Sequence, residues 1–255
     1  MALSSNTTDQ NTLKPKATSQ EIRDRSSIFV ANIFDAATPE QARQAVEHMK
    51  RTHTANPAYE IAAWRCMVLK KGKSGLGGPD DFELRVGSDD GGEQYAGRRV
   101  LGAMQSEGVL DAVVVVSRWY GGVMLGPVRF THIETCTREV CRAFLLQEEV
   151  QTCISTLRSL DDILASLRSE LAEHTPKASS SEPGVNAASE ASPAASRKPP
   201  DYAGLQTSLD LAKIKRLVTA RENAINSVKT LLQRAKDRQA KQTASSNTSL
   251  EGANS

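Results

Sequence analysis

The residues best placed to do chemistry lie between Val113 and Ile133, VVVVSRWYGGVMLGPVRFTHI. Four valines lead into Ser117-Arg118-Trp119-Tyr120, the chain passes through Gly121-Gly122, and Gly126-Pro127 follows. A strand that ends in a glycine turn and then enters a helix presents backbone N–H groups to an anion. Gly121 and Gly126 have the spacing of a phosphate loop, but that motif continues with Lys-Ser/Thr, and here Pro127-Val128 stand in its place. Proline has no N–H to donate and no lysine follows, so a nucleoside triphosphatase is excluded. Arg118 and Arg129 keep anion binding open, beside the simpler reading that the glycines only let the chain turn sharply.

A second cluster, Asp89-Asp90-Gly91-Gly92-Glu93, holds paired carboxylates of the kind that bind a metal or serve as acid and base. It lacks the ligand spacing of an EF-hand loop, and acids just ahead of a helix favour its positive end. His132 and Cys136 are four apart, a metal-compatible step on a helix, but no further ligand pair accompanies them. Cys66, Cys136, Cys141 and Cys153 show no CxxC spacing, so reduced thiols are expected, with no metal and no cofactor. A Cys–His nucleophile has no orienting third group that the sequence identifies. The chain thus shows no nucleophilic or metal motif that stands out. Its candidate binding surface is Asp90, Glu93, Arg118, Tyr120, Gly121, Gly122, Gly126, Arg129 and His132. The competing enzyme reading would use Asp90, Glu93, Arg118 and His132.

The elements that must position these residues follow from composition and periodicity. Residues 27–34, 59–69, 81–87 and 112–120 read as strands, the last needing cover on both faces because its valines are consecutive. Thr38-Pro39 reads as a capped helix start, with Ala42, Ala45, Val46 and Met49 on one face to about Arg51. Residues 95–107 form a helix with Val100, Leu101 and Met104 inward. Pro127 opens another. No glycine or proline occurs from Val128 to Thr175, enough for one helix roughly 70 Å long. Phe130, Ile133, Val140 and Phe144 make one apolar register. Leu146, Val150, Cys153, Leu157, Leu160, Leu164, Leu167 and Leu171 make a heptad seam out of phase with it, so a break or a stammer near Gln147 is expected. Leu211, Ile214, Val218, Ile225, Val228 and Leu232 repeat the pattern, with Arg221 interrupting it.

Of the 255 residues, 32 are basic and 30 acidic. Ten of the eleven aromatics lie between Phe29 and Phe144. That net charge conceals a split: residues 26–147 are neutral, 148–174 carry −4 and 201–255 carry +4. The expected organisation is a disordered arm over 1–25, a globular domain over 26–147, and an acidic heptad helix over 148–174. A disordered Pro/Ser/Ala-rich linker over 175–203, a basic amphipathic helix over 204–241 and a disordered tail over 242–255 complete it. The two C-terminal helices either pair as an antiparallel hairpin, pack on the domain, stay partly disordered or meet a partner helix. Apolar runs are too short for a membrane helix and the N-terminus has no secretory core, so a cytoplasmic, membrane-free protein is expected.

Ser117-Arg118-Trp119-Tyr120-Gly121-Gly122, then Leu125-Gly126-Pro127, Arg129-Phe130 and His132-Ile133, resemble the IMPACT family signature. The acidic turn followed by Ala96-Gly97-Arg98-Arg99-Val100-Leu101, and Thr52-His53 before a strand with Ala63 and Arg65, fit it too. The resemblance covers about residues 26–147. It implies an α+β, two-layer fold in which a four-stranded sheet carries helices on one face (βαββαβα), here with a C-terminal helical, coiled-coil extension. It further implies a non-enzymatic regulator of translation in amino-acid starvation. Such proteins bind the ribosome-associated activator of the general-control kinase and so restrain phosphorylation of initiation factor 2 alpha. Monomeric actin is a further partner in the family. A ribosome, nucleic-acid or phosphate-ligand binding module is the alternative. Two departures stand out: Asp90-Gly91-Gly92-Glu93 replaces the usual Asp-Asp-Gly-Glu, and Val128 stands where an acid often follows Gly-Pro. An N-terminal RWD domain, usual in eukaryotic relatives, is not expected here.

Overall fold

A computed structural model describes residues 13–54, 58–174 and 201–251. In chain order its strands are β1 (Ala17–Thr18), β2 (Ile22–Asp24), β3 (Ser27–Asp35), β4 (Tyr59–Leu69), β5 (Phe82–Asp89) and β6 (Ala112–Trp119). Its helices are α1 (Pro39–Thr52), α2 (Ala96–Glu107), α3 (Val128–His174), α4 (Ala203–Ser208) and α5 (Leu211–Glu251). The chain divides into two units, Met1–Leu145 and Leu146–Ser255.

In the first unit the valine strand β6 lies at the centre of an antiparallel sheet ordered β1-β3-β6-β4-β5, with β2 also on β3. Its consecutive valines point alternately to two helical layers, and that is why the run is apolar without interruption. Val114 and Val116 pack with Val100 and Met104 of α2 and with Ile133, Cys136 and Val140 of α3. Val113 and Val115 pack with Ala42, Ala45, Val46 and Met49 of α1. The fold is α+β, but the expectation of helices on one face is corrected: α1 covers the face opposite α2 and α3. α1 starts where the cap was read, with the Thr38 hydroxyl accepting the Gln41 N–H at 3.3 Å and Pro39 just inside.

The four expected strands are joined by two short ones, so the sheet has six. Residues 13–24, expected within a disordered arm, pair with β3: Ala17 stands opposite Ile33, and Ile22 opposite Phe29. The Ser19 hydroxyl accepts the Ala31 N–H at 2.9 Å. Here side-chain hydroxyls and backbone bonds hold a segment too polar to betray itself by hydrophobic pattern. The first twelve residues of that arm lie outside the described residues.

In the second unit, Val150, Ile154 and Leu157 of α3 bury against Ile214 of α5 and against Tyr202, with Leu205 of α4 alongside. The ion pairs Glu149–Lys215, Asp161–Arg221 and Glu170–Lys236 advance in the same direction along both helices. The pair is therefore parallel, and the antiparallel hairpin is corrected. The helix α3 also continues through Gln147 without the expected break. The two registers differ because the residues before Leu146 face the sheet and those after it face α5. Tyr202 is buried and α4 begins at Ala203, inside the span read as linker; residues 175–200 of that linker lie outside the described residues. The helix α5 runs to Glu251, past the expected tail boundary at 242, and only residues 252–255 of that tail lie outside the described residues.

Candidate functional site

Sheet register assembles the centre of the site. Arg118, near the end of β6, stands directly opposite Phe29 on β3 and Tyr59 on β4. Side chains opposite one another in antiparallel strands share a face, so the guanidinium sits among rings. Its central carbon is 5.4 Å from the Phe29 centroid, 5.9 Å from Tyr59 and 5.6 Å from Tyr120. Such contacts stabilise a desolvated cation by about 0.5–2 kcal/mol. Arg118 is only 4% exposed. Its Nη1 donates to Glu93 Oε2, while its Nε has no partner. Burial, then the nearby Arg129 charge, hold its pKa below the ordinary arginine value.

Arg129, on the first turn of α3, completes the constellation. Its Nε donates to Glu93 Oε1 at 2.7 Å and its Nη1 to the Gly126 carbonyl at 2.6 Å. Glu93 is thus held between two guanidinium groups, one on each oxygen. A cavity of about 300 Å³ opens over this triad. Glu93, Arg118, Tyr120, Gly126 and Arg129 line it, so five of the nine residues picked from the sequence meet there.

The other four do structural work beside it. Asp90 accepts the Tyr95 and Gly97 N–H groups, each at 2.9 Å, and so caps the start of α2. Gly121 lies so close to β3 that a Cβ there would stand 2.1 Å from the Ser26 carbonyl carbon. Gly122 takes φ +83°, open to glycine. His132 Nε2 meets Asp24 Oδ2 at 2.8 Å, and Asp24 is held below the usual carboxylate range by its Arg25 bond first and then by His132. Cys136 is buried with its thiol toward the Phe29 carbonyl, 3.9 Å away.

Tyr59, Gly92, Met124 and Leu125 also line the cavity, outside the nine residues of the candidate surface. Tyr59 was findable only through strand register. Gly92 has a local signal, because a Cβ would stand 2.9 Å from the Tyr59 ring. A second buried carboxylate, Glu60, lies in the same unit. Glu60, 3% exposed, meets His53 Nδ1 at 2.6 Å and accepts the Ser117 hydroxyl at 2.7 Å. Ser117 bonds to the acid rather than to the imidazole and is fully buried, so this is a relay that ties β4 to β6 and not a nucleophile–base pair.

A model described as the Impact N-terminal domain matches residues 25–141. Protein IMPACT of Bos taurus is 34% identical over 139 residues, covering 54% of this chain and 41% of its own. Protein IMPACT of Homo sapiens is 33% identical over 120 residues, covering 47% and 34%. The chain spans about two fifths of the length of the curated relatives it matches. Among solved structures, the two-domain translational regulator Yih1 is 29% identical, covering 56% of this chain and 54% of its own, with a TM-score of 0.33.

Proposed function

We propose, from the premise that residues 25–141 are a domain of the IMPACT family, that the chain is a non-enzymatic regulator of translation under amino-acid starvation. It works in the cytoplasm by binding the ribosome-associated activator of the kinase that phosphorylates initiation factor 2 alpha. The observation that carries a binding role is the state of Glu93. A general acid or base needs a carboxylate that can exchange a proton with a substrate. Both Glu93 oxygens are engaged by arginines, Asp90 is engaged by backbone N–H groups, and His132 by Asp24. The cavity lining is exposed and apolar at Tyr120 and Met124, the composition of a protein contact. Among the described residues no helix is long and apolar enough to cross a membrane.

The test is recovery of partners on the tagged full chain from starved-cell lysate, with and without nuclease. The expected result is recovery of the kinase activator in both conditions. Recovery abolished by nuclease would overturn this reading in favour of a ribosome or nucleic-acid module. Monomeric actin is measured in the same eluate.

A further inference from the structure

The charges at the floor of the cavity do not balance. Arg118 and Arg129 bring two positive charges to Glu93, the only acid among the described residues that line the cavity. Arg118 is nine-tenths buried or more, and its Nε is unpartnered. The lowered pKa of Arg118 has the same origin, a cation out of water beside another cation. The site is one negative charge short, and it is open at the top. Met124 is 80% exposed there, and Tyr120 is 46% exposed.

We infer that the cavity takes one carboxylate from a protein partner, the side chain of an acidic residue flanked by an apolar one. Glu93 already shows the chemistry, since each of its oxygens accepts from a guanidinium. A second carboxylate brings the cluster to neutrality. A phosphate dianion would instead leave surplus negative charge beside Glu93 in a partly dry cavity. The adjoining turn offers it no cradle, because Pro127 lacks the N–H that a phosphate loop would supply. The flanking apolar residue of the partner lies on Met124, which otherwise faces water. This inference rests on the protein-binding role proposed above and names the chemistry of the contact.

The test follows the arginine Nε–Hε signals and the Gly122 and Gly126 amides of the full chain by nuclear magnetic resonance. The probes are acetyl-Leu-Glu-Leu-amide, the same peptide with Gln, and the same peptide with phosphoserine. The Glu peptide is expected to shift the Arg129 signal and both glycine amides saturably, and the Gln peptide to bind at least tenfold more weakly. Arg129→Gln is expected to weaken the Glu peptide by tenfold or more. Met124→Ser, at a position too exposed to affect folding, is expected to weaken it several-fold. No saturable shift up to ~10 mM, equal binding of Glu and Gln peptides, or tighter binding of the phosphoserine peptide would overturn the inference. Activator recovery from lysate together with any of those results removes this inference alone. Loss of recovery with a normal peptide response removes only the choice of partner.

Discussion

Replacing Glu93 by Gln isolates the electrostatics of the triad. The substitution keeps side-chain volume and one carbonyl acceptor but removes the only counter-charge between Arg118 and Arg129. Breaking a buried ion pair from one side costs about 3–5 kcal/mol, mostly as an uncompensated buried charge. Two features reduce that here. Arg129 keeps 25% of its side chain in solvent, so its share is screened. The three rings around Arg118 return about 1 kcal/mol of cation–π stabilisation. The expected loss is therefore about 3 kcal/mol, at the low end of the range. Urea unfolding followed by tryptophan fluorescence reads it cleanly, because Trp64 and Trp119 both lie in the first unit. The midpoint is expected to fall with the slope unchanged. Arg129→Gln alone should cost about 1 kcal/mol, and the double substitution less than the sum, because removing Arg129 also removes the repulsion that Glu93→Gln exposes. A loss below ~1 kcal/mol for Glu93→Gln, or strict additivity, would refute the claim that Arg118 is a desolvated cation.

The two loop glycines should separate by mechanism. Gly121→Ala forces a Cβ into the Ser26 backbone and should cost about 1–3 kcal/mol, whereas Gly122→Ala meets no atom and should pay only for its positive φ, about 1 kcal/mol, both read by the same urea titration. Burial pushes the Cys66 thiol up to about 11 and Cys141 up to about 12, and raises Cys136. At pH 8 iodoacetamide should therefore label half-exposed Cys153 first, as peptide mass spectrometry would show. Those raised thiols contribute stability that is complete below the unfolded value near 9 and is lost as pH rises toward 11–12, so the urea midpoint should decline across that alkaline window. Arg221→Leu fills a seam position with an apolar side chain. Because it leaves sheltered Asp161 without its cation, it should lower the thermal midpoint of helix unfolding while loosening partner choice, seen as self-association in sedimentation. Raising NaCl to ~1 M should move that thermal midpoint little, and a large fall would show that ion pairs rather than the apolar seam hold the second unit together.

Much of the first unit was legible because its signals are local. Four valines in a row demand two covered faces, and Thr38-Pro39 marks a helix start through the cap it forms. What stayed hidden was relational. The stripe on α1 shows that one side is buried but not which face of the sheet it meets, and the one-sided arrangement is what the family resemblance implies. β1 and β2 are two and three residues long and polar, below the length at which alternation is visible. The site divides in the same way. Arg118, Arg129 and Glu93 were each noticed for their chemistry, but their convergence spans 25 and 36 positions and required the fold. Tyr59 was invisible because only its register opposite Arg118 makes it part of the site.

The second unit shows why charge could not decide helix direction by itself. Opposite net charges of −4 and +4 attract in either orientation, and a heptad seam reads the same from both ends. Direction is decided by which charges coincide. Glu149–Lys215 and Glu170–Lys236 are about half exposed and contribute little individually. Asp161 is different: it receives the Arg221 Nε at 2.5 Å and the Tyr202 hydroxyl, in a sheltered position. Arg221, which looked like a flaw in the apolar pattern, sits where only one alignment supplies both partners. Sliding or reversing α5 would leave Asp161 and Arg221 partly buried without each other, a cost of several kcal/mol that an all-apolar seam would not impose. The interruption therefore selects the parallel register, and the apolar residues Val150, Ile154, Leu157 and Ile214 then supply most of its stability.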